Sequence, residues 1–397
     1  MDSINNTTTT TVSKPLMALI LLLWARYPIW EYISGALSHV PVFSTLGETS
    51  IAIIVGFLIL LSIKEIFLSI NKGDIFFFLT IVGLYFLSYA IHPENQAWLD
   101  ERYTISFTLT VLPYFFYGLI LDINRDKDYL LYISYASVLF QFLYIFLLGK
   151  GGVVGNAADD MIGYAYNLLP HVVLISYGLL EKSTALNFIF FAMGFLLLIS
   201  MANRGSIVCF LSFFVLYFVL FKYKTAKVSY KMTFIVLGVF VAVSFDYIIL
   251  FLYNIMSRLN LNTRVLDFVL SANFAASEGR DEIYEVLMNE IQKSPTTMHG
   301  IGGDHQFVSN YAHNILVEWW IAFGVIIGSV LMLGLVSYLL KAYRKSPKDS
   351  QVFLLILITC GFENLFLSST FLNHPLFFMM IGYATNCIRR ARILRKF

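Results

Sequence analysis

Long apolar runs alternate with short polar turns over almost the whole of this chain. Most runs contain about 18 residues or more, enough for a helix to cross the ~30 Å hydrocarbon core of a bilayer. The pattern predicts about twelve transmembrane helices, at 16–35, 50–70, 74–91, 104–121, 129–148, 161–180, 185–201, 205–221, 232–253, 313–340, 351–369 and 371–388. The predicted fold is an all-α polytopic membrane protein with a single integral membrane domain that covers residues 1–397.

One long polar segment interrupts this pattern. It covers residues 254–312, between the ninth and tenth predicted spans, and it contains Arg258, Arg264 and Arg280. Because the chain is 58% apolar, with a mean hydropathy of +0.74, few other residues face water, and we expect substrate to be handled at this loop. Within the loop, apolar residues at helical spacing predict an amphipathic helix on the membrane surface, at Ile283, Val286, Leu287 and Ile291.

The distribution of positive charge predicts the orientation of the chain. Most of its 27 Lys and Arg residues fall on one side of the predicted spans, in turns such as those at Lys182 and Lys224 and in the C-terminal tail. The positive-inside rule makes that side cytoplasmic, so both termini are predicted in the cytoplasm and the 254–312 loop outside it. The net charge of +2 therefore gives no indication of nucleic acid as a partner.

Ionisable residues inside a membrane span cost at least ~2.5 kcal/mol on insertion scales and tend to mark function. Arg26, Asp246, Glu318 and Glu363 all fall in the outer parts of their predicted spans, and Arg204 falls at the outer turn between the seventh and eighth. A polar cavity open to the outer face would explain this placement. The alternative is structural: Glu318 or Glu363 forms an ion pair with Arg26 and holds helices together.

Three short motifs occur on the predicted outer face. In chain order they are Asn203-Arg204-Gly205, Gly279-Arg280 with Tyr284, and Pro295 to Gly300 with His313-Asn314 at the end of the loop. Together they resemble the O-antigen ligase and polymerase (Wzy-type) superfamily of bacterial membrane glycosyltransferases. The resemblance covers about 200–340 at the level of motifs. Asn203 stands where that family usually has Ser, and Tyr284 stands where Trp is common.

This resemblance implies a polymerase that joins undecaprenyl-pyrophosphate-linked oligosaccharide repeat units into a surface polysaccharide of the O-antigen or capsule type. The reaction would take place at the outer face of the bacterial inner (cytoplasmic) membrane. The close alternative is the ligase that transfers O-antigen to lipid A-core, because both enzymes share these motifs. The implied partners are the lipid-linked oligosaccharide, membrane lipids and a chain-length-regulating co-polymerase, and no cofactor is expected.

The implied chemistry gives the motif residues roles. Negative charge grows on the leaving pyrophosphate, and an Arg fork binds phosphate oxygens bidentately, so Arg204 and Arg280 are the predicted pyrophosphate ligands. The attacking sugar hydroxyl must lose its proton, and His313 is the predicted catalytic base, with a helix-capping role as its alternative. The supporting candidates are Asn314, Glu318, Tyr284, Arg26 and Glu363.

Two other interpretations rank below this one. His299, His305 and His313 lack zinc-ligand spacing, so we expect a metal-independent transferase; a metal-dependent one would use acidic residues such as Glu48. A transporter of lipid-linked oligosaccharides would place polar groups near the bilayer midplane in two matching repeats. The one-sided placement of Arg204, Arg280 and His313 argues against a transporter.

Overall fold

The computed structural model of this chain describes residues 13–37, 54, 57–147, 158–201, 203–223, 245–258, 280–309 and 311–394. The described residues form an all-helical protein in which no strand occurs. Parts of the predicted spans at 50–70 and 232–253, loop residues 259–279 and Glu48 lie outside the described residues, as do the side chains of Arg26 and Asp246.

Helices occupy the predicted spans wherever the structure describes them, although 104–121 is built from short pieces, Thr104–Ser106, Phe107–Val111 and Tyr114–Ile120. The helices are α1 (Lys14–Leu37), α2 (57–69), α3 (Lys72–Ile91), α4 (Gln96–Arg102), α5 (Tyr114–Ile120), α6 (Ile123–Leu147), α7 (Ala158–Glu181), α8 (Ala185–Ser200), α9 (Arg204–Tyr217), α10 (Phe245–Arg258), α11 (Arg280–Lys293), α12 (Ile315–Lys345), α13 (Lys348–Leu357) and α14 (Pro375–Leu394). Helical turns extend α9 to Lys222 and α13 to Leu367.

Four helical stretches in the described part of the chain are long and apolar enough to cross a membrane: Lys72–Ile91, Arg204–Lys222, Ile315–Lys345 and Lys348–Leu367. Large apolar side chains are exposed on three of these stretches, including Phe76 on α3, Leu211 on α9 and Ile326 on α12, whereas Lys348–Leu367 is mostly buried. Contiguous apolar surface of this kind is unfavourable in water and favourable in lipid. The fold is therefore that of a membrane-embedded protein.

The centre of the bundle is formed by α14, which packs closely against α5. A Cβ atom added at Gly382 would lie 2.0 Å from the carbonyl oxygen of Phe115, and one added at Gly118 would lie 2.1 Å from that of Met379. The two glycines therefore let the helix backbones approach each other, as small residues do at helix interfaces in membranes.

The two ends of the bundle differ in chemistry. One end carries ion pairs that join the ends of neighbouring helices, Arg389 with Asp74, Arg390 with Asp122, and Lys127 with Glu181. The other end carries the turn from α8 to α9 and the loop that leads into α12. Helix α8 begins at Ala185, close in sequence to Glu181, and ends at Ser200, so it connects the two ends.

Candidate functional site

The first motif forms the start of α9. Asn203 is the N-cap residue, and its Oδ1 accepts hydrogen bonds from the backbone N–H groups of Gly205 (2.9 Å) and Ser206 (3.3 Å). Asn is among the residues that best satisfy the free N–H groups at a helix start, so Asn203 stabilises the first turn of α9. Arg204 is the first residue of α9 and is half-buried.

Tyr166, from α7, packs directly on this motif. A Cβ atom at Gly205 would lie 1.9 Å from the Tyr166 hydroxyl oxygen, so only glycine permits the contact. The same hydroxyl group hydrogen-bonds with the side chains of Asn203 and Ser368. Tyr166 therefore links the start of α9 to the segment between α13 and α14.

The third motif is fixed by a break in α12. Gly324 has a φ of 75°, which interrupts the helix, and the N–H of Val325 donates to the carbonyl oxygen of Pro295 (2.9 Å). The carbonyl oxygens of Ile321 and Ala322 accept instead from the N–H groups of His299 (3.0 Å) and Gly300 (3.1 Å). Buried backbone groups need hydrogen-bond partners, and here the backbone groups of the broken helix pair with those of the loop.

The opposite side of the loop is bound by residues that follow α3 or end it. The Asn95 side-chain amide donates to the carbonyl oxygens of His299 (2.8 Å) and Ile301 (3.2 Å). The Ser88 hydroxyl oxygen accepts from the N–H of Ile301 (2.7 Å). The loop is therefore held between the ends of two helices, which determines where its last residues lie.

Asp304 accepts a hydrogen bond from Ala312, the residue immediately before the predicted base His313. Its side chain is only 2% exposed, and one carboxylate oxygen accepts from the N–H of Ala312 (2.7 Å). Burial raises the pKa of Asp304 to about 6, against a partly compensating effect of the backbone N–H groups that it accepts from. This residue sets the backbone of Ala312 and so the position of His313.

His313 lies two positions before Ile315, the first residue of α12. Its φ is 54°, in the left-handed region, and Asn314 is the N-cap, accepting from the N–H of Leu316 (3.0 Å). The predicted span from 313 thus begins as a helix at Ile315, and the capping alternative for His313 is wrong because Asn314 performs that role. The Tyr284 hydroxyl donates to the His313 carbonyl oxygen at 3.4 Å, which connects α11 to this residue.

Arg280 and His313 come together at this point. The Arg280 guanidinium donates from Nη1 to the carbonyl oxygen of Leu367 (2.7 Å), which orients it. Burial, and then the positive charge of Arg280, lower the pKa of His313 from 6.5 to about 4. The imidazole is therefore neutral at neutral pH, and its buried Nδ1 has no partner within the described part of the chain.

The predicted amphipathic helix exists as α11, but its apolar face is covered by protein. Leu287 and Ile291 are buried against Val317 and Ile321 of α12, whereas Val286 is 43% exposed. This packing fixes the start of α11, and with it Arg280, relative to the start of α12.

A cavity of about 320 Å³, lined by polar and apolar side chains, is connected to His313 through one lining residue. Tyr311 lines it, and the Tyr311 ring lies 4.1 Å from that of His313, between centroids. Tyr311 also hydrogen-bonds with Ser368, and Tyr166 and Ser368 are further parts of the wall. The cavity therefore meets both the start of α9 and the His313 side chain through residues that touch each other.

Two other candidates, Glu318 and Glu363, are paired with hydroxyl groups. Glu318 accepts a hydrogen bond from the Thr370 hydroxyl, and Glu363 accepts one from the Ser212 hydroxyl (2.5 Å). Both carboxyl groups thus join helices through hydroxyl groups. The side chain of Arg26, the other half of the proposed ion pair, lies outside the described residues.

Tyr166, Tyr311 and Asp304 are not among the site residues predicted from the sequence. Tyr311 stands two residues before His313 and Asp304 follows the glycine turn, so both were visible within the motif region, but neither has a type or spacing that indicates a role. Tyr166 is one aromatic residue among many in an apolar run. Within the described residues, no group of three or more His, Cys, Asp or Glu side chains could hold a metal ion.

Comparison of the chain with protein-family models, with curated proteins and with solved structures finds no match. The fold and the site define a class from the chain alone: a membrane-embedded helical protein in which an arginine and a neutral histidine adjoin a polar cavity.

Proposed function

We propose that this protein is a metal-independent polysaccharide polymerase that uses a polyprenyl-pyrophosphate-linked oligosaccharide as donor. In the reaction, the bond between the anomeric carbon and the pyrophosphate oxygen breaks, and the pyrophosphate leaves with the electron pair. The acceptor sugar's oxygen forms the new bond to that carbon, and its proton moves to His313. The observation that carries the proposal is the proximity of Arg280 to a neutral His313 beside a polar cavity.

Arg280 is the pyrophosphate ligand in this proposal. A guanidinium group has five N–H donors, and the contact with Leu367 positions the fork while leaving donors for phosphate oxygens. Arg204 is the second ligand, at the start of α9, where the positive end of the helix dipole also favours an anion. Asn203 and Tyr166 position this helix start against the cavity wall.

His313 is the catalytic base, and its basicity depends on the donor. Without substrate, burial and the charge of Arg280 keep the imidazole weakly basic. A bound pyrophosphate neutralises the effect of Arg280, so the pKa of His313 rises when the donor is in place. His313 therefore becomes an effective base only when the donor is bound.

The proposal includes the topology predicted from charge. The chain would cross the inner membrane of a bacterium about twelve times with both termini in the cytoplasm, and the 254–312 loop would face the periplasm. The ion pairs at one end of the bundle and the Arg280–His313 pair at the other are consistent with such a two-sided arrangement.

The test uses purified protein and lipid-linked repeat units, with product length read on a gel. Arg280→Lys should lower the rate of polymerisation about 10²-fold, because an ammonium group replaces a phosphate-binding fork poorly. Arg258→Lys is the matched control: Arg258 is exposed at the end of α10, and its variant should polymerise at close to the wild-type rate. Equal rates for the Arg280 variant and wild type would reject the pyrophosphate assignment.

A genetic experiment separates the polymerase from the ligase, which shares the donor chemistry and differs only in its acceptor. Deletion of the gene should leave single repeat units on the cell-surface core if the protein is the polymerase. Loss of all glycan from the core, with polymer still on the carrier lipid, would identify the ligase instead.

A further inference from the structure

We propose that the cavity beside Tyr311 is a subsite for a neutral sugar ring of the substrate, an inference that rests on the function proposed for Arg280 and His313. Its volume of about 320 Å³ lies at the small end of the ~300 to 1,000 Å³ typical of ligand pockets. It has room for a compact ligand. The side chains of the wall determine which class of ligand it binds.

The wall is polar but uncharged. Of the described residues that line the cavity, none is Asp, Glu, Lys or Arg. Its polar members carry amide, hydroxyl and imidazole groups, among them Asn167, Asn364, Ser368, Ser369, Asn373 and His374. A pyrophosphate or a carboxylate needs positive charge when it leaves water, so this wall matches a neutral, hydroxyl-bearing ligand.

Two buried side chains in the wall have unpaired polar atoms. Asn364 is 1% exposed and His374 is 7% exposed, and the Asn364 amide nitrogen lies 2.6 Å from His374 Nε2. If the amide donates to Nε2, the imidazole proton is on Nδ1. His374 Nδ1 and Asn364 Oδ1 have no partner among the described residues, but both atoms are shielded from solvent, so they lie behind the cavity surface and not on it.

Ser369 and Asn373 also line the cavity and are at least partly exposed, so their hydroxyl and amide groups can hydrogen-bond with a ligand. A sugar hydroxyl group both donates and accepts, so neighbouring hydroxyls of one ring can pair with such neutral groups. Aromatic residues supply the apolar part of the wall, and they are Trp24, Tyr114, Tyr166 and Tyr311. This combination of aromatic surface with a few polar groups is typical of sites that orient a small ligand.

The position of the cavity connects it with the reaction. Tyr311 lines the cavity and contacts the ring of His313, so a sugar bound there lies next to the base. The ring could belong to the acceptor, whose hydroxyl group attacks, or to the donor, whose anomeric carbon is attacked. The chemistry of recognition is the same for both, and kinetics can separate them.

The test fills the cavity with a side chain. Gly163, on α7, lines the cavity, is exposed, and meets no other atom within 4 Å of an added Cβ. Gly163→Trp can therefore occupy the space without disturbing the packed core. Gly83→Trp, on α3, is the matched control, because Gly83 is equally open and does not line the cavity.

The probe is the radiolabelled, lipid-free oligosaccharide released by mild acid from the lipid-linked repeat unit, and affinity is measured by equilibrium dialysis. Wild type and Gly83→Trp should bind it equally, and Gly163→Trp should weaken binding at least about tenfold, which is the loss of about one good hydrogen bond or more. Asn373→Leu, which removes an exposed amide from the wall, should weaken binding in the same direction. Wild-type affinity in Gly163→Trp, or no binding by wild type at millimolar concentration, would overturn the proposal.

Kinetics identify the bound ring. If Gly163→Trp raises the KM for the free oligosaccharide as acceptor, the subsite holds the acceptor; if it raises the KM for the lipid-linked donor, it holds the donor sugar. The two proposals fail separately. Wild-type polymerisation by His313→Gln and Arg280→Lys would reject the proposed function and leave the dialysis result intact, whereas unchanged binding in Gly163→Trp would reject the subsite alone.

Discussion

The basicity of His313 is set first by burial and then by one neighbour, Arg280. Arg280 is the first residue of α11, and His313 lies just before α12. Tyr284 contacts the His313 carbonyl oxygen and Asp304 accepts from the N–H of Ala312, so both hold His313 in place. Arg280, the proposed ligand of the leaving pyrophosphate, also lowers the pKa of His313. The proposed site therefore couples donor binding to proton transfer. This coupling makes the pH dependence of the two kinetic parameters differ.

The acid limb of kcat/KM, which reports on the free enzyme, should lie near pH 4 rather than near 6.5. The sign follows from the lowered pKa of His313: the imidazole remains neutral, and able to accept a proton, until the pH falls to about 4. The acid limb of kcat, which reports on the complex, should lie at higher pH because pyrophosphate offsets the charge of Arg280. Rates across pH 3.5 to 8 measure both limbs.

Asp304 provides the control for this profile, since its own pKa is raised to about 6 and it touches the same backbone. Asp304→Asn keeps an oxygen for the N–H of Ala312 but does not titrate, so both acid limbs should stay in place. His313→Gln should abolish polymerisation at every pH. Coincident limbs in wild type would contradict the proposed coupling.

Arg280 and His313 could be selected from the sequence by residue type and motif, but their contacts could not be predicted. Their chemical roles stay predictions. Tyr166 and Ser368 meet across more than 200 positions of sequence, and nothing in their local pattern indicates this. The unpaired atoms of Asn364 and His374 are likewise visible only once the helices are packed.

Among the helices, α12 has the most direct consequence for the site. Its break at Gly324 leaves carbonyl groups that capture His299 and Gly300, and the captured loop ends at His313. A continuous helix would pair those carbonyl groups internally and release the loop. The left-handed conformation of one glycine therefore positions the residues before the base.

Gly324→Ala should lower both the Tm and the rate of polymerisation. A side chain at positive φ costs about 1–2 kcal/mol, and the new Cβ would lie only 3.2 Å from the Thr296 carbonyl oxygen. Gly334→Ala, in the same helix, is the control: an added Cβ there meets no atom within 4 Å, and alanine favours a helix more than glycine does. Thermal unfolding in detergent should show a lower Tm for Gly324→Ala alone, and equal shifts for both variants would contradict this role.

Helix positions followed from the lengths of the apolar runs, and the exceptions have physical causes. The run at 104–121 is divided by a π turn and by Pro113, since a run of apolar residues does not specify continuous i to i−4 bonding. The amphipathic helix predicted inside the polar segment is present at Arg280–Lys293, but Leu287 and Ile291 are buried on α12 where a membrane-surface position was predicted. Hydropathy alone gives no sign of that partner.

The molecule as a whole is organised between two chemically distinct ends. Asp74, Asp122 and Glu181 pair with Arg389, Arg390 and Lys127 at the end where the positive-inside rule predicts the cytoplasm. The site lies at the end where the loop returns to α12. In the proposed function, this separation would let one bundle anchor its basic residues at one surface and bind a pyrophosphate at the other.

Sidedness can be tested with single cysteines in a variant that lacks Cys209, Cys360 and Cys387, which are free and buried. Met298 is 51% exposed in the loop before the site, and Lys182 is exposed in the turn between α7 and α8. In intact bacterial spheroplasts, an impermeant maleimide should label Met298→Cys, whereas Lys182→Cys should react only after the membrane is permeabilised. Because α8 leads from the Lys182 turn towards the site, the two labels report opposite ends of the bundle. The reverse pattern would place Arg280 and His313 in the cytoplasm, away from any donor delivered to the outer face, and the proposed polymerase would then be excluded.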